Sequence, residues 1–333
     1  MAGIDDVAER AGVSTATVSR ALSGRGPVAE ATRARVEEAA RSLGYVVSST
    51  ASGLASGRTR NIGVLLPYLD RWFFSTVLGG IADTLLDDGY DIALYNLTDD
   101  RRHRGEIFET SLRRGRVDGV IAISIELDAD ERRRLSELNR PVVAIGGPTP
   151  GVATLSVDDV AVGRLATEHL LELGHTRIAH LGADTRFDSD FHVPAQRRAG
   201  FDAALEAAGI PADAAPFDAA DFTVKGGHDA ATRLLGADDA PTAIFAASDE
   251  MAIGAMLAAR ELGLRVPEDV SVIGVDGHEL GEFFQLTTVA QFPREQGARA
   301  AAAILAAIEG EPPHAEPLEH RLVDRGSTAP PPQ

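Results

Sequence analysis

The sequence predicts an α/β protein: a small all-helical head followed by a large body in which strands and helices alternate. Three observations predict it. Residues 4–45 place apolar side chains at helical spacing in three short runs. From Asn61 onward, apolar runs of strand length alternate with amphipathic runs of helix length. The strand-like runs are apolar throughout and lack two-residue alternation, the pattern of a parallel sheet buried on both faces.

The first helix is expected over 4–11, where Ile4, Val7, Ala8 and Ala11 share one face. Gly12 ends it. Ser14 can cap a second helix over 15–22, because its hydroxyl can accept a free N–H of the first turn. Residues 23–27, Ser-Gly-Arg-Gly-Pro, are a loop. A third helix over 30–43 aligns Val36, Ala39, Ala40 and Leu43 and stops at Gly44. Residues 46–60 are rich in Ser, Gly and Ala, the composition of a linker, with the apolar Leu54 out of place. Strands are expected at 61–69, 90–97, 117–124, 141–147, 177–183, 242–248 and 271–277. Helices are expected at 74–88, 105–114, 130–138, 160–173, 196–208, 225–235, 250–262 and 298–308. This alternation fits either one (β/α) barrel or two doubly wound lobes. The chain ends in STAPPPQ, read as a solvated tail.

At 333 residues, the chain is long enough for two or three domains. Its 44% apolar and 25% charged residues are an ordinary globular mix. No apolar run approaches the ~18 residues of a membrane span. The first residues, MAGIDDVAERAGVS, lack the apolar core of a secretory signal. Cysteine is absent, which excludes disulfides, thiolate metal sites and a cysteine nucleophile and suits a cytoplasmic protein. The net charge of −18 argues against nucleic acid, but its distribution does not. Residues 1–60 carry eight arginines against six acids, while the other 273 residues have a net charge of −20. A mildly basic head rides on a strongly acidic body.

Residues 4–23, IDDVAERAGVSTATVSRALS, have helix-turn-helix spacing. Ala8 is small where two helices cross, Gly12 supplies the turn, and Val18 packs back on the first helix. Thr15, Ala16, Thr17 and Arg20 are left facing outward, where a second helix can read base edges in the major groove.

The chain resembles the LacI/GalR family of bacterial transcription regulators. The resemblance runs through AGVSTATVSRAL, ATRARVEEAARSLGY, the linker with Leu54, NIGVLLP, VDGVIAIS, ATEHLLELGHTRIAHLG, QRRAGFDAAL, PTAIFAASDEMAIGAM, LRVPEDVSVIGVDG, LTTVAQ and RLVDRGST. It implies a headpiece (1–46), a hinge (47–60), a core like a periplasmic sugar-binding protein (61–327) and a tail (328–333). The core would have two doubly wound lobes, an N-lobe of about 61–160 with 291–320 and a C-lobe of about 161–290 with 321–327. By this resemblance Thr15, Ala16 and Arg20 face bases, while Ser14, Thr17, Ser19 and Arg25 position phosphates. Leu54 is the hinge residue that wedges into the minor groove. The hinge departs from the family at Val47, Ser48, Ser52 and Gly53. A glycine inside a helix costs about 1 kcal/mol relative to alanine, so the hinge helix is expected to form only on DNA.

Ligands of doubly wound lobes sit at the carboxyl ends of strands. There the first strand leads into Trp72, Phe73 and Phe74, aromatic faces for a sugar or a base. The resemblance adds Arg197, Phe222, Asp249, Asp276 and Gln291. Arg197 and Asp276 are expected to grip a ligand from both sides of the cleft, or else to form an inter-lobe ion pair. Asp249 is also placed to cap the helix that follows it. His169, His175 and His180 lack metal-ligand spacing. The expectation is a homodimer without cofactor or metal, not an enzyme. It binds a near-palindromic double-stranded operator and is relieved by a sugar inducer. A purine-type corepressor is the alternative within the class, and a solute-binding protein the alternative outside it.

Overall fold

The computed structural model describes residues 2–23, 27–45, 58–97, 100–183 and 193–332. They fall into two compact units, one reaching Asn61 and including Gly115–Asp118, the other holding the remainder.

The first unit contains α1 (Ile4–Ala11), α2 (Thr15–Ser23) and α3 (Glu30–Leu43). Their ends follow from local chemistry. Gly12 and Gly44 take the left-handed conformation that stops α1 and α3, at φ 66° and 61°. The Thr17 N–H donates to Ser14 Oγ (3.3 Å), the cap expected from the sequence. Val7, Ala8, Ala11, Val18, Ala21, Val36, Ala39 and Ala40 form one buried cluster. The Arg33 guanidinium closes the end of α2 by donating to the Ala21 carbonyl (2.9 Å).

The second unit is built on two six-stranded sheets. The first contains β1 (Asn61–Leu66), β2 (Asp91–Asn96), β3 (Gly119–Ile123), β4 (Val142–Ile145), β5 (Ala153–Ser156) and β11 (Glu316–Pro317), in the order β11-β5-β4-β3-β1-β2. The second contains β6 (Ile178–Gly182), β7 (Phe217–Ala219), β8 (Ala243–Ala246), β9 (Ser271–Asp276), β10 (Thr287–Ala290) and β12 (Arg321–Val323), in the order β12-β10-β9-β8-β6-β7. β12 runs antiparallel to β10, while β6, β7, β8, β9 and β10 pair in parallel. Two open sheets exclude the barrel. In both, strand order reverses beside the first strand, and ligands bind at such a switch point.

Helices cover the sheets. α4 (Trp72–Asp87) and α11 (Pro293–Ile308) pack together on the first sheet. α5 (Arg101–Glu106) and α6 (Ala129–Glu137) follow β2 and β3. On the second sheet α7 (Asp159–Glu172) packs against α8 (Val193–Ala207), and α9 (Val224–Leu235) against α10 (Asp249–Glu261). The α7–α8 crossing is glycine-tight. A Cβ on Gly163 would stand 2.1 Å from the Arg197 carbonyl oxygen, so only glycine lets the backbone carrying Arg197 approach α7.

The structure corrects several expectations. The helix expected at 105–114 starts at Arg101, because Asp100 caps it by accepting from the N–H groups of Arg102 and His103, and its winding changes at Ile107. α4 and α11 start at Trp72 and Pro293, earlier than expected. β5, β7, β10, β11 and β12 are strands that the sequence does not announce: β7, β11 and β12 have only two or three residues, and β5 and β10 carry threonine or serine where β4 and β8, of the same length, are apolar. The end of the chain is not simply a solvated tail. Thr328 Oγ1 bonds His169 (2.8 Å), and the Ala329 N–H donates to Ser271 Oγ (3.0 Å) while its carbonyl bonds His175 (2.8 Å). Among the described residues, no helix is long and apolar enough to cross a membrane, and no group of His, Asp or Glu is arranged to hold a metal.

His180 lies in the core of the second sheet, stacked on Phe201 and Phe245, with Nδ1 on the Phe245 carbonyl (3.1 Å). Burial, reinforced by the positive charge of Arg198, pushes its pKa down to about 3. The folded chain therefore holds the ring neutral while the unfolded chain protonates it below about pH 6.5. The native state loses up to about 1.4 kcal/mol per pH unit from this group as pH falls from about 6.5 toward 3. Melting curves of His180→Leu should show a shallower acid dependence than the parent between pH 6.5 and 4.5. Parallel curves would remove His180 from the cause.

Candidate functional site

Two sites emerge, one in each unit. In the first unit, Ser14, Thr15, Ala16, Ser19 and Arg20 are exposed along α2 and Thr17 is half-buried, opposite the buried Val18. Ser14 and Thr17 share a hydroxyl hydrogen bond (2.9 Å), and Arg20 Nε donates to the Ala16 carbonyl (3.1 Å). One polar face is thus held by a helix whose other face is anchored in the core. Arg25, Leu54 and the residues Val47, Ser48, Ser52 and Gly53 of the expected hinge lie outside the described residues.

In the second unit, the carboxyl ends of both sheets open on one cavity of about 540 Å³, within the usual range for small-ligand pockets. Tyr68, Arg71, Phe73 and Phe74 enter it after β1, Ser124 after β3 and Gly146 after β4. From the other sheet come Ala219 ending β7 and Phe222 after it, Ser248 and Glu250 after β8, Asp276 ending β9 and Gln291 after β10. Of the residues expected from the sequence, Phe73, Phe74, Arg197, Phe222, Asp276 and Gln291 line the cavity.

Arg197 is 5% exposed and Asp276 7%. Arg197 Nε donates to Asp159 Oδ1 (2.9 Å), and its Nη1 donates to the Ala247 carbonyl and lies 3.9 Å from Asp276 Oδ1. The same oxygen of Asp276 accepts from Gln291 Nε2 (2.7 Å). Burial pushes the Asp276 carboxyl well above its usual range, against the pull of the Arg197 guanidinium. The two groups expected to face each other across the cleft instead stand side by side on the second sheet and its helix α8. They form one buried polar wall there, and their ion pair is not an inter-lobe one.

Asp249 does not line the cavity, and the cap of α10 is Ser248, whose Oγ accepts from the Met251 N–H (3.3 Å). Fully buried Asp249 reaches across instead. Its carboxylate accepts from the N–H groups of Gly277 (2.9 Å) and His278 (2.7 Å) and from Thr288 Oγ1 (2.7 Å). These bonds hold the turn where Asp276 has φ 123°, a conformation costly for a residue with a Cβ. Asp249 positions Asp276. Burial pushes its own pKa upward, and these donors oppose the shift.

Trp72 also stands off the cavity. Its ring stacks on His278, with centroids 4.3 Å apart. Trp72 opens α4 on the first sheet and His278 follows β9 of the second, so this stack joins the lobes. Sequence reasoning missed Asp159, Arg71, Ser248 and Glu250. Asp159 and Glu250 each open a helix after a strand, which was the available signal. Nothing along the chain distinguishes them from ordinary first-turn acids that favour a helix dipole.

Comparison with known proteins bears on both units. Residues 3–48 match the model of bacterial regulatory proteins of the lacI family, and residues 167–328 match a periplasmic binding protein-like domain. The chain is 36% identical over 320 residues to the HTH-type transcriptional repressor PurR of Vibrio atlanticus (strain LGP32), covering 93% of this chain and 92% of the relative. A structure of the lac repressor dimer bound to operator and the anti-inducer ONPF superposes with TM-score 0.84 at 29% identity, over 98% of this chain and 99% of that one. A complex of the transcriptional regulator CelR with cellobiose gives TM-score 0.70 at 30% identity, over 98% and 100% of the two chains. Helix-turn-helix head, paired doubly wound sheets and near full-length similarity agree: the chain belongs to the lacI family of bacterial regulatory proteins, and it is a ligand-responsive DNA-binding transcriptional regulator.

Proposed function

We propose that the chain is a homodimeric cytoplasmic repressor that binds a near-palindromic operator and releases it when a sugar enters the cavity of the second unit. Thr15, Ala16 and Arg20 read bases. Ser14, Thr17, Ser19 and Arg25 hold phosphates, and Leu54 wedges into the minor groove at the operator centre. Phe73, Phe74 and Phe222 stack on the apolar faces of the sugar, and Arg197, Asp276 and Gln291 bond its hydroxyls. Residues 1–46, 47–60 and 61–327 act as reader, hinge and sensor. The ligand is bound and not turned over. The observation that carries the effector role is the wall of Arg197, Asp276 and Gln291, buried and hydrogen-bonded yet facing a cavity beside aromatic rings. The CelR complex with cellobiose supports a sugar effector.

Closure of the lobes changes the dimer and separates the hinges. Operator and effector must then weaken each other by the same factor. Trp72 is the chain's sole tryptophan, and its stack on His278 makes its emission a reporter of lobe geometry. In a sugar-panel titration, the compound that releases a labelled operator fragment should also change Trp72 emission with the same midpoint. A compound that tightens operator binding would make the chain a corepressor-dependent regulator. Operator release with unchanged emission and unchanged melting temperature would remove the effector from this cavity.

A further inference from the structure

The chain enters β1 through a bend that is held from the side. Asp118, the residue before β3, is 2% exposed. Its Oδ1 accepts the Thr59 N–H (2.8 Å) and the Thr59 hydroxyl (3.1 Å), and its Oδ2 accepts the Arg60 N–H (2.8 Å). The Asp118 N–H donates to the Asn61 carbonyl (2.8 Å), and Asn61 Nδ2 donates to the Thr59 carbonyl (3.0 Å). Arg60 is thereby fixed at φ 56°, a left-handed conformation costly for a residue with a Cβ. A slack tether requires neither the bend nor a buried carboxylate at its end.

The bend displays positive charge. Arg60, whose N–H Asp118 holds, and Arg116, two residues before Asp118, are both exposed. Residues 46–60 and 115–118 hold three arginines (Arg58, Arg60 and Arg116) and one acid, Asp118. That acid is buried on N–H and hydroxyl donors, so the charge presented outward is that of the guanidinium groups. The pinned segment, Arg116 and α1–α3 fall in one compact unit. Arg60 stands six residues after Leu54, so at most about 20 Å of extended chain separates them. With Leu54 in the minor groove, Arg60 is confined to the neighbourhood of the duplex, and Arg116 with it. A guanidinium fork matches phosphate oxygens.

Resting on the DNA-binding activity and on the hinge role of Leu54, we propose that Arg60 and Arg116 form a second, sequence-independent grip on the phosphates of the DNA backbone, and that Asp118 positions it by pinning residues 59–61. The face of α2 supplies sequence; this grip supplies electrostatic affinity.

The test uses the full chain and two duplexes of equal length, one selected by the parent from random-sequence DNA and one unselected. Binding is measured across a salt series. In Arg60→Gln/Arg116→Gln both affinities should fall by about the same factor, at least about tenfold, and the slope of log affinity against log salt should flatten by at least about 1. Arg60→Lys/Arg116→Lys keeps the charge and should keep most of the slope. Arg177→Gln/Arg260→Gln removes two exposed arginines of the second unit and should leave the slope at the parent's value. Asp118→Ala gives the discriminating sign. It removes a negative charge, which by charge alone tightens DNA binding, yet it should weaken binding and flatten the slope because residues 59 and 60 lose their anchor. Melting curves establish that each variant is folded. Should Asp118→Ala not fold, Asp118→Asn, which keeps one acceptor, should show part of the same loss. An unchanged slope in the double Gln variant, an equal loss in Arg177→Gln/Arg260→Gln, or tighter binding in the folded Asp118 variant overturns the grip. A parent that selects no duplex removes sequence reading by α2 instead, and the grip is then judged by the slopes on unselected DNA.

Discussion

Replacing Arg197 with alanine should abolish the effector response and destabilise the second unit by about 3–5 kcal/mol, the usual cost of removing one partner from a buried ionic cluster. Arg197 lies between Asp159 and Asp276, and all three are nearly inaccessible. Its removal leaves two buried carboxylates with their main counter-charge gone and the Ala247 carbonyl without this donor. The sign of the pH dependence follows. Asp276 is already raised by burial, and loss of the guanidinium raises it further. A carboxyl whose folded pKa lies above its unfolded one favours the native state at low pH and loses that contribution as pH rises through the folded pKa. The deficit of Arg197→Ala should thus be larger at pH 8 than at pH 5 in paired melting curves. Arg197→Lys should restore little, because a single ammonium cannot reproduce the fork that holds Asp159 and the Ala247 carbonyl together. If Arg197→Ala still released operator at the parent's effector concentration, Arg197 would not belong to the effector wall.

Replacing Val18 with aspartate should abolish operator binding while sparing the sensor. Val18 has no exposed surface and sits in the small cluster shared by α1, α2 and α3. The buried side chains of that cluster are all aliphatic, so a carboxylate there has no cationic partner among them and costs several kcal/mol. A unit with so small a core has little stability to lose. Operator affinity should drop by at least about 100-fold, since an unfolded α2 presents no face to the groove. Ligand-induced changes in Trp72 emission should persist, because Trp72 and the cavity belong to the other unit. Retained operator affinity would mean that α2 does not carry recognition.

Much of this was legible along the chain for a local reason. Gly12 and Gly44 stop helices through their own backbone freedom, and Ser14 caps α2 three residues ahead of the N–H it satisfies. α1 and α3 accordingly run over the residues that apolar spacing predicted. The central strands β1, β3, β4, β6, β8 and β9 announced themselves because burial on both faces makes them apolar along most of their length. β10 did not, because its Thr287 and Thr288 are buried with their hydroxyls bonded to Asp324 and Asp249, so polar residues stand where burial is complete.

The cavity divides in the same way. Arg197, Asp276, Phe222 and Gln291 came from resemblance at motif positions, and Phe73 and Phe74 from aromatic clustering after a strand; all six reach the cavity. Trp72 and Asp249 did not, although each is adjacent in sequence to a residue that does. A one-residue step on a helix turns a side chain by about 100°, so Trp72 is carried onto His278 and Asp249 under the β9 turn.

The sequence by itself determined the central strands, the helices of the head, the family resemblance and the polar outward face of α2, because capping, periodicity and burial act over a few neighbouring residues. Only the tertiary structure decided that Arg197 and Asp276 share one wall, that Asp249 holds the turn beneath them, and that Trp72 stacks on His278. Those contacts join side chains dozens to about two hundred residues apart. Their existence depends on how two sheets bring their carboxyl ends together, which local spacing does not record.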